Sequence, residues 1–125
     1  MTNTTIIRTL QVTTNQHNSA LVIHSFTLVT LVGGSSAMEG NVYINGRPVC
    51  DDFWSQNNAK VICKMLGLVG GTPTVQSYFG MVQTNFGMDN VLCEGTEADI
   101  LNCPHDTSHN CGYNEGAGVK CTQGN

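Results

Sequence analysis

Six cysteines, Cys50, Cys63, Cys93, Cys103, Cys111 and Cys121, fall within the last 76 of 125 residues, and no two are separated by fewer than seven residues. A structural zinc site normally begins with a closely spaced Cys-x-x-Cys corner, and none is present, so the cysteines read as disulfide partners. Six cysteines admit fifteen pairings, and spacing alone does not choose among them. Bridged cysteines imply an oxidising, extracellular setting. A chain of this length supplies one core, with any remainder as tail.

The formal charge is -4, from five Lys plus Arg against nine Asp plus Glu, with no basic run. That balance argues against nucleic acid or an anionic membrane held by basic residues. "MTNTTIIRTL" lacks the apolar centre of a signal peptide, and "ALVIHSFTLVTLVGG" from Ala20 is too short and too polar for direct membrane insertion. The chain therefore reads as a mature piece of a larger secreted protein. Residues 1–25, rich in Thr, Asn and Gln and carrying the sequon Asn3-Thr4-Thr5, read as a flexible N-terminal tail or linker; residues 26–125 read as the domain.

Within the domain, "FTLVTLV" ending at Gly33-Gly34 predicts a strand and turn. In "GNVYINGRPVC" the alternation of Val42 and Ile44 before Asn45-Gly46 predicts a hairpin with a type I′ turn, and Pro48 places the return strand at an edge. Ser55 is a candidate cap, and Ala59, Ile62, Cys63 and Leu66 have the spacing of one buried helical stripe closed by Gly67. "LVGGTPT" reads as a loop, "VQSYFG" and "MDNVLC" as strands, "EADILNC" as one helical turn, and Gly118–Cys121 as a final strand.

Asp51 and Asp52 stand side by side in a chain with only 11% charged residues, and neighbouring carboxylates repel unless a cation or water intervenes. A solvated turn ahead of a helix terminus also accommodates such a pair. Glu94, Glu97 and Asp99 form a second acidic group that reads as a solvated face. His17, His24, His105 and His109 tempt a catalytic reading, but no nucleophile elbow, phosphate loop or His-Glu-x-x-His motif accompanies them. No enzyme is expected, and His105 and His109 read as loop residues with satisfied ring nitrogens.

The words "VTLVGG", "GNVYINGRPVCDDFW", "AKVICKMLG", "YFG", "MDNVLCEGTE", "LNCPH", "HNC" and "EGAGVKC", in this order from Val29 to Cys121, resemble the six-cysteine group of the scavenger receptor cysteine-rich family. The resemblance implies an α+β fold: a small disulfide-bonded domain with a curved sheet of about six strands cradling one helix, and long loops opposite. It implies bridges Cys50–Cys111, Cys63–Cys121 and Cys93–Cys103. It also implies two calcium sites, one from Asp51, Asp52 and Glu115, the other from Asp52, Asp89 and Asn110, whose oxygens suit a hard cation. The sequence departs from the family at Arg47-Pro48-Val49, where Trp-Gly-Thr is usual, and in "FGMVQTN", where Val82, Thr84 and Asn85 replace glycines and a proline. A polyanion-binding basic cluster is absent.

The function this implies is extracellular ligand recognition of the kind used in innate immunity: binding of a protein, an anionic polysaccharide or a microbial surface through calcium bridging at an acidic loop face. The alternative is an accessory domain that positions a neighbouring protease or oxidase among other domains of a larger chain.

Overall fold

The computed structural model describes residues 3–14 and 21–124, with side chains from residue 26 onward. Among the described residues, six strands form one antiparallel sheet: β1 (Asn3–Thr14), β2 (Leu21–Gly33), β3 (Glu39–Ile44), β4 (Arg47–Pro48), β5 (Val69–Thr74) and β6 (Gly118–Thr122). Their order is β1-β2-β3-β6-β5, with β4 paired to β3. One helix, α1 (Gln56–Met65), and a 3-10 turn at Ile100–Asn102 complete the α+β architecture.

Alternation decides which face of the sheet is buried. Val29 and Leu31 of β2, Val42 and Ile44 of β3, and Val119 and Cys121 of β6 all point to one side and join the core with α1. Asn45 (φ 52°) and Gly46 (φ 84°) both adopt the left-handed region, as a two-residue type I′ hairpin between β3 and β4 requires. The Asn45 side chain and backbone exchange hydrogen bonds of 2.9 Å with Leu28, which ties the hairpin tip to β2.

At ten residues α1 is too short to persist alone, so packing must hold it. Ala59, Ile62, Cys63 and Leu66 are buried, but so are Asn58, Val61 and Met65, because the helix is covered twice. The sheet lies on one side and the segment 91–103 on the other, where the Ile100 N–H donates to Met65 Sδ at 3.2 Å. Asn58, fully buried, fastens this second cover: its amide donates to Val91 O at 2.8 Å and accepts from Cys93 N–H at 3.0 Å. Ser55 is the N-cap residue by position, yet its side chain makes no capping bond. The Cys63–Cys121 bridge, with Cα atoms 5.6 Å apart, joins α1 to β6, and Cys93–Cys103, at 4.8 Å, closes the loop of the second cover.

Four local expectations are corrected. "LVGGTPT" is not a loop but β5. A Cβ at Gly71 would strike the carbonyl of Lys120, so glycine here lets β5 approach β6 rather than breaking the strand, and Pro73 is tolerated because β5 is an edge. "VQSYFG" is a turn, with Gln76 (φ 58°) and Ser77 (φ 49°) both left-handed. "MDNVLC" is irregular: it makes the isolated bridges Val49–Met88 and Asp89–Asp106, and Leu92 N–H donates to Pro104 O at 2.9 Å, without forming a strand. Finally, Asp99 is not on a solvated face: it is 4% exposed, accepts from Thr27 Oγ1 at 2.6 Å and caps the 3-10 turn through Leu101 N–H at 2.9 Å. Glu97 serves a local turn instead, accepting from the N–H groups of Glu94 and Gly95.

Residues expected to belong to a tail also differ from that picture: 3–14 run as β1 along β2, and β2 begins at Leu21 rather than Phe26. Residues 15–20, with His17, lie outside the described residues. Among the described residues, no helix is long and apolar enough to cross a membrane.

Two outcomes are expected. Every strand pairing except β1–β2, the helix and all three bridges use residues 29–122. Deleting Met1–Ala20 should thus leave a domain that melts cooperatively and has no titratable thiol; loss of folding would place β1 inside the cooperative unit. Asn58→Leu should lower stability by about 2–3 kcal/mol in denaturant titration, since Val91 O and Cys93 N–H would be left buried without partners.

Candidate metal centre

The acidic pair follows immediately on Cys50, whose backbone is fixed from two sides: its N–H donates to Met88 O at 2.9 Å and it bridges to Gly116. Its sulfur is bonded to Cys111, with Cα atoms 6.1 Å apart. Asp51 to Trp54 then make a tight turn closed by the Trp54 N–H on Asp51 O at 3.0 Å. Phe53 occupies its left-handed position (φ 64°), where glycine is usual. The strain is held by the turn's ends, because Trp54 is buried with its indole N–H on Gly118 O at 2.8 Å and Cys50 is locked on the other side.

Asp51 leans toward the C-terminal segment. Its N–H donates to Glu115 O at 2.9 Å, and its carboxylate accepts from Gln76 N–H at 2.7 Å. One carboxylate oxygen from each of Asp51, Asp52 and Glu115 lies within 4.8 Å of the others, and with Gln76 and Asn114 these residues line an open cleft. Asp52 also faces the other way: a carboxylate oxygen of Asp52 and one of Asp89 lie within 4.8 Å of each other. Asp52 Oδ2 and Asn110 Oδ1 are each 3.7 Å from Cys111 Sγ, and the Asn110 N–H reaches the Asp89 carboxylate. The structure thus brings Asp51, Asp52 and Glu115 into one group and Asp52 and Asp89 into a second that shares Asp52, with Asn110 bordering the second through its backbone N–H. Cys50 adjoins both groups and Cys111 the one with Asp89, but as a disulfide they present no thiolate.

The electrostatics are those of carboxylates crowded without a counter-charge. Burial pushes the Asp51 carboxyl above the usual range, the Gln76 N–H opposes this, and the fields of Asp52 and Glu115 push it further up. Asp89, only 3% exposed, is raised first by burial; the Asn90 N–H opposes, Asp52 raises it again, and the Asn110 N–H opposes. Oxygens on opposite sides of one calcium ion lie about 5 Å apart, so the separations within 4.8 Å fit such an ion among Asp51, Asp52 and Glu115, and between Asp52 and Asp89 they supply two carboxylate oxygens at that spacing.

Gln76 and Asn114 join the cleft without any signal in the sequence, since Gln76 falls in an expected strand and a lone amide carries no pattern. His105 and His109 are engaged locally: His105 Nδ1 is 2.7 Å from Cys103 O, and His109 Nδ1 accepts from Cys111 N–H at 3.1 Å.

Comparison with known proteins decides the family, because the model of the scavenger receptor cysteine-rich domain matches residues 32–122. The chain belongs to the scavenger receptor cysteine-rich family. A scavenger receptor cysteine-rich domain superfamily protein of Patiria pectinifera is 44% identical over 102 residues, covering 76% of this chain and 9% of that protein. The macrophage receptor MARCO of Mesocricetus auratus is 40% identical over 101 residues, covering 78% of this chain and 20% of that receptor. Among solved structures, the third such domain of murine neurotrypsin superposes with a TM-score of 0.71 at 36% identity, covering 76% of this chain and 95% of that one. The dimeric form of the domain from mouse MARCO gives 0.61 at 38%, covering 74% and 92%. The chain spans no more than a fifth of these curated relatives.

A pH dependence follows. A carboxyl raised in the folded state binds its proton more tightly there than in the unfolded chain. Its favourable contribution is complete below the ordinary value of 3.8 and is lost as pH rises through the folded value. In chelator at neutral pH, Asp51→Asn and Asp89→Asn should each raise the melting temperature, and each should flatten its fall between acid and neutral pH. Unchanged melting curves would show that the repulsion is screened by water.

Proposed function

We propose that this scavenger receptor cysteine-rich domain is an extracellular recognition module that binds calcium at its acidic loop face and uses it to hold anionic groups of a protein, glycan or microbial surface. The observation that carries the reading is the gathering of Asp51, Asp52 and Glu115 within 4.8 Å in an open cleft, on a scaffold shared with macrophage receptors. Asp51, Asp52 and Glu115 would hold one ion, with the side-chain oxygens of Gln76 and Asn114 at hand; Asp52, Asp89 and Asn110 would hold the second. When bound, calcium supplies a hard positive charge with six to eight oxygen positions, more than either residue set fills.

The protein's own contribution is to hold the carboxyl groups crowded and rigid, so that a cation relieves the repulsion that burial and mutual proximity build up at Asp51 and Asp89. The Cys50–Cys111 bridge and the Phe53 turn fix the direction in which Asp51 and Asp52 part, so little backbone ordering remains to oppose binding. Without the ion the same face repels anions, which makes capture conditional on calcium.

A second reading is favoured by the chain's small share of its relatives, 9% and 20%, and by its likeness to one of several such domains in neurotrypsin. In that case it spaces or positions a neighbouring protease or oxidase domain within a larger protein.

Titration distinguishes the two. Calcium at a hundred times its Kd should stabilise the domain by about 2.7 kcal/mol, seen as a rise in melting temperature. Asp52→Ala should abolish the rise, whereas Glu115→Ala should weaken one site only, and immobilised sulfated polymer should retain the domain in calcium but not in chelator. No thermal shift at millimolar calcium would leave the accessory-domain reading in place.

A further inference from the structure

Arg47 is a cation in an acidic chain that commits its charge to backbone. Its Nε donates to Asn85 O at 2.8 Å and its Nη2 to Phe86 O at 3.1 Å, two successive carbonyls caught in one fork. Its stem lies along Gly87, where an added Cβ would come within 3.2 Å of the Arg47 Cβ. One residue on, Pro48 O accepts from Gly87 N–H at 3.0 Å, so β4 grips residues 85–87 through three hydrogen bonds.

What that grip holds is a path to the second acidic group. Phe86 is fully buried in a small cluster with Val82, Cys50 and Cys111, and its ring lies 5.0 Å from that of His109, the residue before Asn110. Two residues past Phe86, Met88 pairs with Val49 and accepts from Cys50 N–H; Asp89 follows, facing Asp52. Val82 fits because Gly116 leaves space: a Cβ there would come within 2.7 Å of Val82 Cγ1. Both Arg47 and Val82 stand where this sequence departs from the family's usual words, Trp-Gly-Thr in one case and a glycine-rich loop in the other.

We infer that Arg47 is a positioning residue for the second cation group: by latching residues 85–87 to β4 it sets Asp89 against Asp52 and Asn110. This rests on the calcium reading for its effect on binding but not for the latch itself. Arg47→Met keeps the stem against Gly87 and removes the fork, and Arg47→Lys restores charge without the two-pronged geometry.

The test has two arms on the oxidised domain. In chelator, amide hydrogen exchange should accelerate at Gly87 and Asp89 in Arg47→Met, while amides of α1 and β6 exchange as in the wild type. In two-site calcium titration, the site lost on Asp89→Asn should weaken on the order of tenfold in Arg47→Met, with Arg47→Lys intermediate and the Glu115 site unchanged. Wild-type exchange at Gly87 and Asp89 in Arg47→Met overturns the inference, as does equal weakening of both sites. If the wild type binds no calcium but exchange accelerates at Gly87 and Asp89, the latch stands and the calcium reading fails.

Discussion

The arrangement of this domain turns on Cys50. It is fully buried, hydrogen-bonded to Met88, paired with Gly116 and bonded through sulfur to Cys111, so three separate loops meet on one residue. A candidate ligand lies within one residue of each of these junctions: Asp51, Asp89, Glu115 and Asn110. A site assembled from such distant stretches has no local structure to hold it, and long loops cannot bury enough apolar surface to do so. The covalent link restricts the unfolded chain over a separation of 61 residues, and contributes on the order of 2–4 kcal/mol by the chain-entropy estimate.

Two apolar clusters border the site, the main core reaching it through Val49, Trp54, Met88 and Ala117. Val29 to Cys121 on β2, β3, β6 and α1 form one cluster, whereas Val82, Phe86, Cys50 and Cys111 form a second and smaller one beneath the carboxylates. The sheet and helix supply most of the buried apolar surface, which offsets the cost of crowding like charges on the loop face.

Legibility in the sequence follows the range of the interaction. The Asn45-Gly46 turn, the helix stripe and the alternation in β2 and β3 are local patterns, and each stands where periodicity and turn chemistry put it. Strand β5 escapes such reading because Gly70-Gly71 and Pro73 weigh toward a loop, and only the nearness of Lys120 explains Gly71. Asp99 is misread for a similar reason: its partner Thr27 is 72 residues away, and no local signal marks a carboxylate as buried. The Asp51-Asp52 pair stands out by adjacency alone, but Glu115, Asp89 and Asn110 are legible only through family resemblance, since residues as far apart as Asp51 and Glu115 show no common spacing. Gln76, Asn114 and the Arg47 latch have no counterpart in that resemblance and emerge only from geometry.

Strand β6 is last in sequence yet lies between β3 and β5. Until it arrives, the sheet exists as two pieces, the helix lacks the partner for Cys63, and Trp54 has no carbonyl for its indole N–H. The bridges Cys50–Cys111 and Cys63–Cys121 also interleave along the chain, so neither can close over a finished half of the domain. During vectorial synthesis the Cys93–Cys103 loop, spanning 10 residues, can therefore oxidise early, whereas the sheet waits for β6. Cys50 and Cys63 thus find their partners only once the segment carrying Cys111 and Cys121 is present, which makes their bridges late steps in the assembly of the domain.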